Sequence, residues 1–496
     1  MFARVCSKAL KSQRPLLCRF KSAQCITKFE EIPGPEGYEL QIEMAQSDPL
    51  TAFDKAYREY DSQVIKFLGP ISQTEEVILF DANDIRMVYA KEGKFPHGAS
   101  SFNNANQEFF EKKRKESGTK YTGAMSKSGT AWREARNVLG PGLMTDAAHA
   151  YLDLINTAAI QSVDMVEAYS EQLGTWTKRS AYDMFTSIAL GDNPESTDPN
   201  SSHELASLVE CGDNALSLSV MLSMWPPEMH TPNAYENMVE QYETIFSVTR
   251  SYLEKKQNAD GFIDLPNCWF KDLREVQGLP MEEIILLMPQ FLAAGIGTTE
   301  GVIDWNILNL VNNVEKQDIL YEELKSELDG SPFRKSANLP YLKACIRESH
   351  RLTPPGNAMT MRTQHQDFVT ESGFEIPAGT VMWMAPYQVN RDPRYVQNSD
   401  KYEPERFLSA AVNVRKKDTT CPYSKQLDHG ISKHPFSMGA RGCLGRRAAE
   451  LEIQALMVQL FSRYRVTANP PNQSFKRKQM TLSIPDPMPK VKLTKR

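Results

Sequence analysis

The stretch FSMGARGCLGRRAAELE, residues 436–452, decides how this chain is read. It sets one thiol, Cys443, among glycines and arginines, directly ahead of a run with helical periodicity. Gly442 and Gly445 carry no Cβ, so the backbone beside the sulfur is free to approach a flat ligand. A thiol at a helix N-terminus meets unpaired N–H donors and the positive end of the helix dipole, which favour thiolate. Arg441, Arg446 and Arg447 add positive charge and guanidinium forks that fit carboxylates. An anionic sulfur on bare backbone, flanked by carboxylate-seeking arginines, suits a haem iron and its propionates. The bland use of a lone cysteine, burial as a small apolar residue, leaves those neighbours without a purpose.

The bulk numbers set limits on the rest. With 496 residues, 41% hydrophobic and 24% charged, the composition is ordinary for a globular chain with a large core. A net charge of −5 and a pI near 6.0 give no reason to expect a nucleic acid partner. The eight cysteines show no C-x-x-C spacing, so neither a zinc ribbon nor a disulfide framework is suggested, which fits a reducing compartment. MFARVCSKALKSQRPLLCRFKSAQCITKF, residues 1–29, holds seven Lys or Arg, and no acid precedes Glu30. That is the composition of a mitochondrial transit peptide, assigned to residues 1–28, the alternative being a solvated basic tail. No stretch offers the roughly 20 apolar residues of a spanning helix. IILLMPQFLAAGIG, from Ile284, is broken by Pro289 and Gln290 and reads as a short buried core helix.

Along the chain, EEVILF (75–80) reads as a strand, and DIRMVYAKEG as a helix capped by Asp84 with Gly93 just past its end. Helical periodicity dominates from 131 to 352, GFEIPAGTVMWM (373–384) reads as hairpin-like, and a final helix follows Cys443 to about Tyr464. The expected fold class is mainly α with a smaller β part.

Phe436, Gly439, Arg441, Cys443, Gly445 and Arg446 form F-x-x-G-x-R-x-C-x-G-R, which resembles the haem-ligand signature of the cytochrome P-450 superfamily. The resemblance implies one haem-thiolate domain, residues 29–496, holding haem b with Cys443 as axial ligand. ESHR, in NLPYLKACIRESHRLTPP, resembles the family's Glu-x-x-Arg helix pair. Asn338 is the expected cap, Pro340 suits the first turn, and Pro354 and Pro355 stop the helix. With Arg406 of YEPERF, Glu348 and Arg351 are expected to form a scaffold cluster. AWREAR resembles Trp-x-x-x-Arg, which makes Trp132 and Arg136 expected donors to a propionate; Arg362 occupies the place of another. FLAAGIGTTEG resembles the family's oxygen-activating helix, which implies open space at Ala294 and Gly295, an opened helical turn, and a proton-delivering role for Thr298. Where the family usually carries an acid this chain has Gly297, and Glu300, three residues on, is the candidate replacement.

AKEGKFP (90–96) and CLGRRAAELE resemble the mitochondrial branch, in which Lys343 and Arg347 match basic docking positions for a [2Fe–2S] ferredoxin, itself fed by an NADPH ferredoxin reductase. A basic patch meeting an acidic carrier is an electrostatically steered encounter. Together with the leader, this implies a peripheral enzyme on the matrix face of the inner membrane. The implied function is insertion of one atom of O2 into an apolar, steroid-like or sterol-like substrate, entering near SVMLSMWPP (219–227). Gly297 keeps open a peroxide-rearranging enzyme that needs no redox partner. A non-catalytic haem-thiolate sensor or carrier is the reading from another class.

Overall fold

A computed structural model describes residues 26–496 except 71, 99–103, 124–125, 225–227, 229, 258–263, 357–359, 418–426, 431–434, 472, 474–475 and 480–481. The helices that position the site are, in chain order, α1 (Glu39–Gln46), α2 (Pro49–Tyr60), α3 (Ala82–Lys91), α4 (Gly129–Leu139), α5 (Leu152–Asp164) and α6 (Leu173–Leu190). They continue with α7 (Leu208–Met224), α8 (Ala234–Lys256), α9 (Met281–Val311), α10 (Pro340–Leu352) and α11 (Arg446–Arg463). The expected fold class holds: helices dominate, and the sheet part is small.

α9 is the axis. It is apolar nearly all round and packs on α6, α7, α8 and α11, as expected of a helix enclosed by others. The sequence reading expected a short segment broken at Pro289, but the helix runs unbroken through it for 31 residues. A proline there forfeits one ladder hydrogen bond, and burial on every side outweighs that local loss. Glu283 anchors the first turn by accepting from the backbone N–H groups of Lys120, Tyr121 and Thr122 at 2.6–2.8 Å. By length and hydropathy alone, this helix and Glu204–Ser223 are each long and apolar enough to cross a bilayer, contrary to expectation. In α9 that apolar surface is mostly spent inside the fold.

The main sheet has four strands in the order β1-β2-β6-β3: β1 (Val64–Leu68), β2 (Glu75–Leu79), β3 (Met361–Arg362) and β6 (Met382–Met384). β2 pairs antiparallel with β1 and parallel with β6, and β6 pairs antiparallel with β3. The expected hairpin at 373–384 does not form. β5 (Glu375–Ile376) pairs back onto β4 (Phe368–Val369), while β6 joins the main sheet. The intervening turn is held elsewhere: Ala378 N–H donates to Asp367 Oδ1 and Gly379 N–H to the Gln364 carbonyl.

Two expected caps are replaced. Asp81, not Asp84, caps α3, accepting from Asn83 and Asp84 N–H at 2.8 and 3.2 Å; Asp84 is buried one turn later and accepts from Ser372. α10 begins without an Asn338 side-chain cap. The Glu323 carboxylate instead accepts from Tyr341 and Leu342 N–H at 2.6 and 2.9 Å, one side chain satisfying two orphan donors. At the N-terminal end, Thr27 bridges Phe374 and Lys28 pairs with Glu375 at 2.9 Å; residues 1–25 of the expected leader lie outside the described residues.

Candidate active site

Cys443 sits on the loop that feeds α11, and its sulfur opens into an internal cavity of about 610 Å³. Of the described cysteines, Cys211, Cys268, Cys345 and Cys443, it alone lines this chamber. The loop is pinned at several points. Cys443 N–H donates to the Phe436 carbonyl at 2.9 Å, Gly442 N–H to that of Gly439 at 3.1 Å, and Ala440 N–H to Glu92 Oε1 at 2.6 Å. Gly439 has φ +72°, and a Cβ there would fall 2.0 Å from Glu92 Oε1, so only glycine lets the carboxylate reach the loop. Gly445 lines the chamber, and a Cβ there would point into open space.

The scaffold cluster forms as expected. Arg351 forks onto both oxygens of Glu348 at 2.8 Å, and Arg406 Nε donates to the same carboxylate at 2.9 Å. The remaining guanidinium donors of both arginines reach carbonyls between residues 390 and 401, which fixes the long segment leading to the Cys443 loop.

Across the chamber, α9 presents Ala294, Thr298 and Gln290 on one face. Thr298 Oγ1 donates to the Ala294 carbonyl at 2.7 Å, and the helix is continuous here, so the opened turn expected from the sequence is not seen. Gly295 lines the chamber, and its smallness also seats α6 against α9, since a Cβ there would lie 2.6 Å from the Phe185 ring. Arg136, Phe436, Arg441 and Gly445 also line the chamber, whereas Trp132, Arg362 and Glu300 do not.

Trp132 is buried beneath the Arg441 guanidinium, 4.3 Å from ring centre to carbon. Arg362 is buried in an ion pair with Glu92 at 2.8 Å. Arg136 donates to the Gly442 carbonyl, and Arg441 to the Pro96 and Lys127 carbonyls. Arg446 and Arg447 turn outward to Glu450, at 2.9 and 3.0 Å. Glu300 lies on the opposite face of α9 from Thr298, among charges contributed by α6 and α7. The stretch expected to form an access region contributes Ser219, Val220 and Ser223 to the chamber wall; Trp225 to Pro227 lie outside the described residues.

The electrostatics fit an anionic ligand. Burial, then the neighbouring Arg362 and Arg136 charges, push Arg441 down to about 10, with Glu92 pulling the other way. Three guanidiniums around one carboxylate leave positive charge for a further pair of carboxylates to neutralise. Burial holds the Cys443 thiol above its usual range, against the Gly445 and Arg446 N–H groups and the Arg136 charge. A metal cation reverses that balance by deprotonating the thiol outright. A flat dianionic macrocycle carrying a metal therefore fits these residues.

Sequence reading gives no site role to Glu92, Gln290 or Glu452, although the last two line the chamber. The AKEGKFP segment offered a signal for the first; the other two carry none until helices are packed.

Comparison with known proteins agrees with this geometry. The cytochrome P-450 family matches residues 35–493. A probable mitochondrial cytochrome P-450 12b2 of Drosophila melanogaster is 25% identical over 470 residues, covering 88% of this chain and 84% of that protein. A mitochondrial cholesterol side-chain cleavage enzyme of Equus caballus is 24% identical over 465 residues, with the same coverage of 88% and 84%. The crystal structure of a cytochrome P-450DA heme domain superposes with a TM-score of 0.73 at 17% identity, covering 95% of this chain and 98% of that one. The chain belongs to the cytochrome P-450 family. It is an oxidoreductase of the monooxygenase class and uses thiolate-ligated haem.

Proposed function

We propose that this enzyme inserts one oxygen atom of O2 into an apolar, steroid-like or sterol-like substrate inside mitochondria, with Cys443 as the iron ligand. The observation that carries the reading is the chamber itself, with Cys443 on one wall and Ala294 and Thr298 on the facing one. Haem, when bound, supplies the reductive activation of dioxygen. Cys443 would hold the iron, and Arg136 and Arg441 would hold carboxylates at the rim, with Arg362 and Trp132 setting the position of Arg441 from behind. Ala294 keeps the α9 wall low, Thr298 holds and passes a proton at Oγ1, and the apolar lining excludes water from the reacting substrate.

Electrons would arrive from a [2Fe–2S] ferredoxin at Lys343 and Arg347, both exposed on the outer side of α10. Two relatives named as mitochondrial, one of them a cholesterol side-chain cleavage enzyme, support the compartment and the substrate class. The basic leader at residues 1–28 supports import, and placement on the matrix side of the inner membrane follows from the same reading. Retention of Thr298 favours monooxygenation over peroxide rearrangement, which would proceed with hydroperoxide and no reductase.

The test is spectral. Reduced protein exposed to carbon monoxide should give the red-shifted band of a thiolate-ligated haem, and Cys443→Ala should lose it. A band unchanged in that variant would remove Cys443 as the ligand.

A further inference from the structure

One face of α9 runs Gly297, Glu300, Asp304, and it does not look into the chamber. It packs on α6 and α7, which bring Thr177, Lys178, Glu210 and Asp213. Four carboxylates thus surround one ammonium. Lys178 Nζ lies 2.6 Å from Asp213 Oδ2 and 3.6 Å from Glu210 Oε2, and Thr177 Oγ1 donates to Asp304 Oδ1 at 2.6 Å. The cluster has a gradient of access. Glu210 is 53% exposed and Asp213 31%, while Asp304 is buried. One cation cannot neutralise four carboxylates, so the inner members hold their protons to higher pH than free carboxyls do. Burial, then the Asp304 charge, raises Glu300 well above its ordinary range, and burial pushes Asp304 up to about 7.

Gly297 belongs to this face and directly precedes Thr298, which does line the chamber. A Cβ at that position would stand 3.9 Å from Asp213 Oδ1 and 3.0 Å from a terminal methyl of Leu482. The carboxylate of α7 therefore reaches the place where a side chain of residue 297 would begin, beside Thr298.

We propose that Asp213, paired with Lys178 and backed by Glu300 and Asp304, is the proton-positioning residue for Thr298, its carboxylate standing beside the place where a side chain of residue 297 would begin. In this scheme α7 supplies the acid that α9 lacks. In the proposed step a proton taken from solvent at Glu210 passes to Asp213 and on past Gly297 to Thr298 Oγ1, whose hydroxyl gives up its hydrogen bond to the Ala294 carbonyl and releases its own proton into the chamber. Only O–H bonds break and form, and solvent restores the cluster. The inference rests on the monooxygenase reading but is tested separately from it.

The test uses the full-length holoenzyme with its electron donors. Asp213→Asn should keep the carbon monoxide band, lower product formed per electron pair by about tenfold, and change the pH profile of coupling. In the resting protein, loss of the Asp213 charge should shift the infrared band of neutral carboxyl groups to a lower midpoint pH, because that charge helps hold the Glu300 proton. Adding Gly297→Asp to Asp213→Asn, with the Leu482 side chain giving way, returns a carboxylate beside Thr298 and should restore coupling. Unchanged coupling in Asp213→Asn, or lost coupling that Gly297→Asp fails to rescue in a folded protein, would overturn the proposal. Loss of the carbon monoxide band in the parent protein would instead overturn the haem-thiolate reading.

Discussion

Glu92 shows how much one side chain can organise. It closes α3, forms a buried pair with Arg362 on β3, and accepts the Ala440 N–H of the Cys443 loop. Removing it would leave the Arg362 guanidinium buried without its carboxylate, which typically costs about 3–5 kcal/mol. Glu92→Ala should lower unfolding stability by that order in a denaturant titration. Gly439→Ala should also destabilise, through its positive φ and the clash with the same carboxylate. Glu92→Ala removes the clash, so the two losses should add to less than their sum in a double-mutant cycle. Strict additivity would mean that the contact is not what constrains Gly439.

At the scale of elements, α10 has two faces with separate duties. Its inner face buries Glu348 and Arg351 in the scaffold cluster, and its outer face exposes Lys343 and Arg347. The docking reading concerns only the outer face, so neutralising it should leave the fold alone. Lys343→Gln with Arg347→Gln should raise the KM for an acidic [2Fe–2S] ferredoxin about tenfold at low salt and reduce its salt dependence, with kcat at saturating ferredoxin nearly unchanged. Steady-state kinetics across ionic strength checks this; an unaltered KM would move the docking surface elsewhere. α9 makes a related point about packing, since Gly295 is required by Phe185 on α6.

At the scale of the whole molecule, buried acids set a pH dependence. Burial pushes Glu452 up to about 8 and Asp84 up to about 7. Each stays protonated in the folded chain at pH values where the unfolded chain has released the proton. Their contribution is thus complete below the ordinary carboxyl range, near pH 4, and is lost as pH rises through about 7 and 8. His350, lowered to about 4 by burial, acts in the opposite sense, but only below its ordinary 6.5. Stability should therefore decline between roughly pH 6.5 and 8. Glu452→Gln should flatten that decline in thermal unfolding, because among the described residues Glu452 accepts one hydrogen bond, from Thr299, and its other oxygen has no partner. An equal slope in the variant would exclude Glu452 as a source.

Local order along the chain was enough to single out the Cys443 loop, the Glu348, Arg351 and Arg406 cluster and the mainly helical class. In each of these the chemistry is carried by residues a few positions apart, or by motifs whose spacing is itself the signal. Packing alone decided the rest. Whether Pro289 breaks a helix depends on what encloses it, and where strand 382–384 pairs depends on a partner some 300 residues away. Which carboxylate stands beside Gly297 was likewise beyond local reading, because Asp213 and Gly297 lie 84 positions apart and meet only when α7 crosses α9. Spacing specifies neighbours within a turn or two of helix; groups that meet across helices are assigned by the apolar surfaces that bring those helices together.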